Sequence, residues 1–250
     1  MERGYQHNFS QKTGAMYDVT AREKKAQTMV SVLKDYYQSH LKELRVLDVG
    51  ASTGIIDNYL ADFFISVVGL DIDQQAIEHA RRTHIKPNLA FRIGDALNLE
   101  FPDNSFDVVI CSQVYEHVPD PYKMMYEIFR VLSPGGVCYF AAGNRFNLNE
   151  AHYNLPLLSV IPRPLAHIYI RLTGKADHYY ELHYTYWQLK RLVSHFKIHD
   201  YTRKIIFDPV SYHAEYMIQP GTGKSSIAKF ISSNLMWLCP SYVWILEKHF

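Results

Sequence analysis

A short turn and two isolated aspartates carry the clearest chemical pattern in this sequence. The turn reads VLDVGASTG at 46–54, between an apolar run and a helical pattern. Asp71 ends a second apolar run, and Asp95 follows a third. The carboxyl ends of parallel strands meet at one edge of a sheet, where such folds bind ligands. We therefore expect Asp48, Asp71 and Asp95 to surround one ligand.

The turn does not fit a dinucleotide. The G-x-G-x-x-G pattern requires glycine at 52 and a small residue at 55, whereas the chain has Ser52 and Ile55. Asp48 would also place negative charge near a pyrophosphate, but it suits a cationic ligand. The pattern D-x-G-x-x-x-G therefore indicates S-adenosylmethionine, which carries a sulfonium and an ammonium group. An equal interpretation of Asp48 is a hydrogen-bond acceptor that orients the loop.

The other two aspartates suit the rest of that molecule. Asp71 in Gly69-Leu70-Asp71 can accept hydrogen bonds from both hydroxyls of a ribose. Asp95 in Gly94-Asp95-Ala96 lies where an adenine amino group could donate a hydrogen bond.

The elements that position these groups alternate between strands and helices. Strands are predicted at 45–50, 66–71, 89–93, 106–111 and 136–142, with helices at 54–64, 74–83 and 121–132 between them. Strands that are apolar throughout indicate a parallel sheet covered on both faces. The predicted fold class is α/β, a doubly wound, mostly parallel seven-stranded Rossmann-like sheet with a cap inserted after strand five.

The remaining segments complete a single domain, 1–250, in three parts. Residues 1–43 are a helical lead-in whose first 18 residues are loose until something orders them, and whose helix starts at Asp18. Residues 44–142 are the ligand-binding core, and 143–250 form the cap and the final strands. In this last part we predict a helix at 185–196 with Thr185 as N-cap, a strand at 201–207, a helix at 227–238 and an antiparallel strand at 242–246 beside strand five.

Over residues 44–142 the chain resembles class I S-adenosylmethionine-dependent methyltransferases of the ubiquinone and menaquinone type. The resemblance rests on the turn at 46–54, the motifs around Asp71 and Asp95, the run 103–118 around strand four, and Pro134-Gly135-Gly136. It implies that Gly50 and its loop line the methionine, with Ser52 standing where the family usually has glycine. It also implies the following cofactor-binding set: Asp48, Gly50, Ser52, Gly54, Asp71, Ile72, Asp95, Ala96, Ser112 and Gln113.

A hydroxyl acceptor of the methyl group needs a base, which must come from groups near the end of strand four or from the cap. His117, in Glu116-His117-Val118-Pro119, is the first candidate for a catalytic residue, and the alternative is a histidine that packs locally at a helix entry. In the cap, Arg145, His152 and Tyr153 are expected to contact the acceptor. The alternative is a cap whose rings only stack on one another. No metal is expected, because His178 and His183 do not have the spacing of a helix-face pair.

The acceptor itself is less constrained. The stretch 144–164 resembles methyltransferases encoded among cell-surface polysaccharide genes, which favours O-methylation of a saccharide or lipid-linked glycan. One alternative is a quinone, isoprenoid-type or other small-molecule acceptor. Another is a non-catalytic protein that binds S-adenosylmethionine. A nicotinamide-dependent oxidoreductase is disfavoured by Ser52 and Ile55.

Composition limits the partners. Lys and Arg total 26 against 25 Asp and Glu, a formal charge of +1, which argues against nucleic-acid binding. Three cysteines without a C-x-x-C pair and an N-terminus without a signal-like apolar run predict a cytoplasmic protein. The apolar segments around Pro162-Arg163-Pro164 suggest peripheral membrane contact, although buried cap helices explain them too. Pro220–Ser225 resembles a phosphate loop but lacks its first glycine, so we interpret it as a loop and helix start.

Overall fold

Seven strands form one sheet in the computed structural model, which describes residues 6–150 and 152–249. The nine strands are β1 Arg45–Val49, β2 Ser66–Asp71, β3 Leu89–Ile93, β4 Phe106–Ser112, β5 Leu132–Gly143, β6 Asn149–Glu150, β7 Leu155–Pro156, β8 Lys197–Asp200 and β9 Ser241–Glu247. The sheet order is β3-β2-β1-β4-β5-β9-β8, and β6 pairs only with β7. Strands β1 to β5 are parallel, and β9 is antiparallel to β5. The predicted seven-stranded fold, with its antiparallel last strand, is confirmed.

Nine α-helices surround this sheet in the described residues. They are α1 Phe9–Lys12, α2 Val19–Tyr36, α3 Ile55–Leu60, α4 Gln74–Thr83, α5 Pro121–Val131, α6 Arg163–Leu172, α7 Tyr186–Leu192, α8 Thr202–Phe207 and α9 Gly223–Asn234. Local side chains set several helix starts. Asp18, Asp73 and Asp120 accept backbone N–H groups of the first turn, and Thr185 forms a capping box with Gln188. The predicted cap at Thr185 is therefore confirmed.

Alternate residues of each central strand face two separate cores. Leu47 and Val49 of β1 pack towards α5 and α7, while Val46 packs towards α2, α3 and α8. Because successive side chains of a strand point to opposite faces, a strand buried on both sides must be apolar at almost every position. Asp48 is the exception in β1, and its burial needs a functional or structural reason.

The prediction of a strand at 201–207 is wrong. The strand there is β8, which ends at Asp200, and residues 202–207 form α8. The Asp200 side chain accepts the N–H of Thr202 at 2.8 Å, and this bond starts the helix. The adjacent Ile205 and Ile206 indicate a strand from the sequence alone. The helix predicted at 227–238 starts earlier, at Gly223, because Thr222 caps it through the N–H of Ser225.

The N-terminal lead-in is more ordered than the sequence suggests. Of the 18 residues expected to be loose, residues 1–5 lie outside the described part of the chain. Residues 6–17 form α1 between two short 3₁₀ turns. The backbone N–H and the hydroxyl of Ser10 donate to Asp73 Oδ2 at 2.9 and 2.8 Å, and the Thr53 hydroxyl donates to the carbonyl of Met16 at 2.6 Å. These bonds hold the segment against the carboxyl edge of the sheet.

The cap is tied to the end of β5 through Asn144. Its fully buried side-chain amide donates to the carbonyls of Trp237 and Cys239 at 2.8 Å, just before β9. Further along, the N–H of Leu182 donates to the carbonyl of Glu116 at 2.9 Å. Residues 143–184 are therefore attached at both ends to the same edge of the sheet.

Asp107→Asn is expected to lower the free energy of unfolding by about 1–2 kcal/mol at pH 7. The Asp107 carboxylate accepts hydrogen bonds from the Arg45 backbone N–H and guanidinium at 2.9–3.0 Å, joining β1 to β4. Burial alone would raise the pKa of Asp107, but the bonds from Arg45 outweigh burial and lower it. This stabilisation is complete above about pH 4, the ordinary aspartate pKa, and is lost as pH falls through the lowered value. Chemical denaturation at several pH values measures the difference.

A matched control is Asp62→Asn. Asp62 pairs with Lys86 at 2.7 Å, but its side chain is 62% exposed, so the expected loss is below about 0.5 kcal/mol. Equal losses in the two variants, or an Asp107→Asn deficit that persists at low pH, would contradict the assigned role of Asp107.

Candidate cofactor and acceptor site

The loop after β1 closes over the carboxyl edge of the sheet in a strained backbone conformation. Gly50 has φ +91°, and a Cβ there would lie 2.7 Å from Val114 Cγ2, so the turn has no room for a side chain. Ser52 has φ +53°, in the left-handed region that glycine adopts without steric cost. This conformation explains why glycine suits position 52, and Ser52 keeps the same loop path at some cost in strain.

Asp71 fixes this loop from the end of β2. Its Oδ2 accepts the N–H of Ser52 at 2.8 Å, and its Oδ1 accepts the N–H of Asp73 at 2.9 Å. Burial raises the pKa of Asp71, and the backbone hydrogen bonds partly offset that rise. Each carboxylate oxygen can accept a second hydrogen bond, so Asp71 can still receive two hydroxyl groups.

A buried cluster of charges lies beneath the same loop. Burial raises the pKa of Asp48 to about 7, although the charge of Arg22 acts in the opposite direction. Asp57 is fully buried with both carboxylate oxygens unpartnered, and burial raises its pKa well above the usual value. Sequence reasoning missed Arg22 and Asp57, since neither belongs to a motif. With Asp71, three carboxyl groups lie near the Arg22 guanidinium, and a bound cation would favour their ionised forms.

A cleft of about 630 Å³ opens between the ends of β2 and β3. Its lining includes Ile72, Ile93, Gly94 and Asp95, together with Gln75 of α4. The volume lies in the usual range of small-molecule sites. Ile72 and Ile93 give it apolar walls, and Asp95 gives it a carboxylate whose Oδ1 already accepts the N–H of Leu97 at 2.9 Å. Ala96, the next residue, is half-buried and packs against the larger core.

The end of β4 adds the residues predicted beside the methionine. Ser112 ends the strand, and Gln113 follows with φ +58° while its N–H donates to the carbonyl of Ala141 at 2.8 Å. A methyl group placed on Gly143 would lie 3.5 Å from Gln113 Oε1 and 3.4 Å from His183 Nδ1. Gln113 and His183 therefore flank Gly143, which brings the cap to the edge of the cofactor loop.

Beside Gly143 lies a group of three buried carboxyl groups and three partly exposed histidines, here called the His–Glu cluster. It comprises Glu116, His117, Glu150, His152, Glu181 and His183. Glu150 Oε1 lies 2.6 Å from His152 Nδ1 and 3.2 Å from His183 Nε2. The rings of His117 and His152 meet edge to face with centroids 4.8 Å apart. The structure thus brings together His117 and His152, which the sequence placed in separate segments.

Electrostatics differ sharply within this cluster. Burial, with His152 and His183 nearby, lowers the pKa of His117 to about 3, so its imidazole is neutral. Burial also lowers the pKa of His152, but the bond to Glu150 and its charge outweigh it and raise the value. Burial alone would raise the pKa of Glu150, yet the hydrogen bonds from His152 and His183 lower it to about 2.

The two other residues predicted to contact the acceptor already have partners in the cap. Arg145 Nε donates to the carbonyl of Ser159 at 3.2 Å, so much of its guanidinium holds the cap loop. The Tyr153 N–H donates to Glu150 Oε2 at 2.9 Å, and its ring packs edge to face on Tyr179. Tyr153 is therefore part of the framework that carries the His–Glu cluster.

Comparison with known proteins agrees with this geometry. Residues 47–140 match the family model described as a methyltransferase domain. A probable S-adenosylmethionine-dependent methyltransferase of Mycolicibacterium smegmatis is 38% identical over 104 residues, 42% of this chain and 40% of that one. A ubiquinone biosynthesis O-methyltransferase of Pseudomonas fluorescens is 34% identical over 124 residues, 46% and 53% of the two chains. The chain thus spans only about half the length of these curated relatives, or less.

Solved structures share the fold at low identity. A methyltransferase of Mesorhizobium loti superposes with a TM-score of 0.55 at 18% identity, covering 83% of this chain and 92% of that one. An N-methyltransferase of Haemonchus contortus, solved with phosphomonomethylethanolamine and S-adenosylhomocysteine, also gives 0.55 at 18% identity, covering 88% and 52%. The predicted family resemblance and its cofactor, S-adenosylmethionine, are confirmed.

The residues present fit that cofactor. The cleft beside Ile72 and Asp95 can hold an adenine ring, and Asp71 can hold the ribose. The carboxyl group of Asp48, beneath the loop at 50–54, suits the sulfonium and ammonium groups. Gly54 precedes α3 with φ +75°, and a Cβ there would lie 2.5 Å from the Phe91 ring. The individual residue assignments stay predictions.

Asp71→Ala is expected to weaken binding of S-adenosylhomocysteine by about 1–3 kcal/mol, because polar partners are left unpaired. Asp71→Asn keeps the side-chain shape but loses one acceptor oxygen, so its loss should be smaller. Isothermal titration calorimetry on the full chain measures both, and thermal melting checks that the variants fold.

Asp103→Ala is the control, since this aspartate is 68% exposed and pairs with Arg130 at the opposite edge of the sheet. Unchanged affinity in Asp71→Ala would contradict the placement of the ribose at the end of β2.

Proposed function

Because residues 47–140 form a class I S-adenosylmethionine-dependent methyltransferase domain, we propose that this chain transfers a methyl group to a hydroxyl of a small-molecule acceptor. The supporting observation is that Gln113 and His183 both lie against Gly143, so the His–Glu cluster adjoins the methionine end of the predicted cofactor site. An acceptor bound under the cap would lie between the two.

When bound, S-adenosylmethionine would supply an electrophilic methyl group on a sulfonium. Transfer forms a C–O bond, breaks the C–S bond and releases a neutral thioether. The chain's own residues then have two tasks. The loop at 50–54 and Asp71 fix the donor, so alignment with the acceptor supplies much of the rate. The acceptor hydroxyl is proposed to lie against His117 and His152, and the His–Glu cluster promotes the loss of its proton.

We favour a saccharide or lipid-linked glycan as acceptor. The cap contributes the His–Glu cluster and the neighbouring rings of Tyr153 and Tyr179, which offer polar tips together with stacking faces. Arg145 is proposed to shape the acceptor pocket through the loop that it holds. The outer face of α6 exposes Leu165, Ile168 and Leu172, which supports peripheral contact with a membrane that carries such an acceptor. In the described residues no helix is long and apolar enough to span a membrane.

A quinone-type acceptor is the second candidate. Its support is the similarity to a ubiquinone biosynthesis O-methyltransferase and, at 41% identity over 92 residues, to a demethylmenaquinone methyltransferase of Renibacterium salmoninarum. These matches cover 46% and 37% of this chain. A non-catalytic cofactor-binding protein would bind S-adenosylhomocysteine and methylate neither acceptor class.

Radiolabelled methyl transfer to a panel of glycans, lipid-linked glycans and hydroxylated quinones tests the proposal. We expect turnover on one class, and we expect His117→Ala to lower kcat by about 100-fold or more while S-adenosylhomocysteine affinity is unchanged. His199→Ala is the matched control, because His199 also pairs with a carboxylate, Glu247, at 2.7 Å, but outside this site.

Cofactor binding without turnover on any class would contradict the proposed activity. Full activity in His117→Ala would contradict the placement of the acceptor at the His–Glu cluster, while the class of acceptor would still be read from the panel.

A further inference from the structure

The His–Glu cluster contains three buried carboxyl groups with few partners. Glu116, Glu150 and Glu181 are 0%, 1% and 3% exposed. Among residues 6–150 and 152–249, the ion pairs of these three carboxylates are made with histidines alone, through Glu150. A buried carboxyl group is ionised only where an ion pair, hydrogen bonds or a metal compensate for its burial, and otherwise it stays protonated.

Glu116 is the sharpest case. Both of its carboxylate oxygens lack a hydrogen-bond partner although the residue has no exposed surface. A buried, unpartnered carboxylate in a native fold calls for an explanation. One carboxylate oxygen of Glu116 and one ring nitrogen each of His117 and His152 all lie within 4.8 Å of one another.

These three atoms match the spacing of metal ligands. A cation bound at about 2.1 Å separates its ligand atoms by about 3–4 Å, so small side-chain rotations suffice to close the set. Two imidazoles and one carboxylate are the ligands of catalytic zinc sites and of non-haem iron sites, where further coordination positions stay open. The absence of thiolates and the presence of two nitrogens favour a first-row transition cation over Mg²⁺ or Ca²⁺.

Glu150 supplies the support that such a ligand set needs. Its Oε1 lies 2.6 Å from His152 Nδ1. The tautomer in which Nδ1–H donates to Glu150 has its lone pair on the other nitrogen, Nε2. A carboxylate behind a ligating histidine is the usual second contact of a metal site, because it fixes both tautomer and ring orientation. His183 then holds Glu150 from the other side at 3.2 Å.

We propose that Glu116, His117 and His152 bind one divalent first-row transition cation, with Glu150 orienting His152. The inference rests on the proposed function for its consequence: the acceptor hydroxyl would contact the cation, and the two imidazoles would hold the cation instead of contacting the acceptor directly. The hydroxyl proton would then leave to water. The spacing of histidines in the sequence predicts no metal, because these three ligands come from two segments that only the cap brings together.

Cobalt is the probe for this site. The full chain is freed of metal with a chelator and titrated with Co²⁺, and binding is followed by the visible absorption of the ion and by elemental analysis. We expect one Co²⁺ per chain. His152→Ala and Glu116→Gln should each weaken binding by at least about tenfold. Glu116→Gln keeps the volume of the side chain, and thermal melting shows whether each variant folds.

His199→Ala is the control, since its His–Glu pair with Glu247 has no third ligand among the described groups. Absence of stoichiometric Co²⁺, or equal affinity in Glu116→Gln and the wild type, would overturn the proposal. Abolition by His183→Ala with retention in His117→Ala would also overturn it, because it would move the ion to Glu150, His152 and His183, which form a second such group.

Calorimetry with S-adenosylhomocysteine on the same metal-free samples separates this inference from the proposed function. Cofactor binding without Co²⁺ binding removes only the metal site, whereas absent cofactor binding removes the methyltransferase proposal. Once an acceptor is known, chelation should abolish turnover and added Co²⁺ should restore it. Turnover that survives chelation would mean that the imidazoles act on the acceptor without a cation.

Discussion

One chain of hydrogen bonds through two aspartates fixes the cofactor end of the molecule. Asp71 accepts the N–H of Ser52 from the loop after β1 and the N–H of Asp73 from the turn after β2. Asp73 in turn caps α4 with one oxygen and holds Ser10 with the other. Two loops, a helix start and the N-terminal segment therefore depend on carboxylates at the end of one strand. Since charged acceptors form the stronger hydrogen bonds, this arrangement gives a rigid rim for a ligand.

The acceptor end is built on a different principle. At the cofactor end, Asp71 accepts hydrogen bonds from backbone N–H groups. In the His–Glu cluster, three carboxyl groups lie beside imidazoles, of which that of His117 is neutral. This arrangement, in which burial raises the pKa of Glu116 and lowers that of His117, favours the neutral form of both groups. It is suited to binding a cation or a proton that the chemistry supplies, which is why the same residues carry both proposals.

The sequence predicts the strands and turns of the cofactor half, whereas the contacts within the cap cannot be predicted from it, for a physical reason. In the core, each motif residue lies at the end of an apolar strand, and parallel strands necessarily bring those ends together. No such rule relates Glu116 to Glu150 or His183, whose proximity depends on how residues 143–184 fold back. Arg22 was missed because a buried arginine on α2 has no local signal. The strand predicted at 201–207 failed because Ile205 and Ile206 suggest a strand, whereas Asp200 and the backbone of Tyr201 start a helix.

The two ends of the site are joined by α1. Phe9 places its ring 5.1 Å from that of His117, and the next residue, Ser10, donates twice to Asp73. A four-residue helix is not stable in isolation, so its position is set by these contacts. Because the two residues are adjacent in one short helix, α1 contacts both ends of the site.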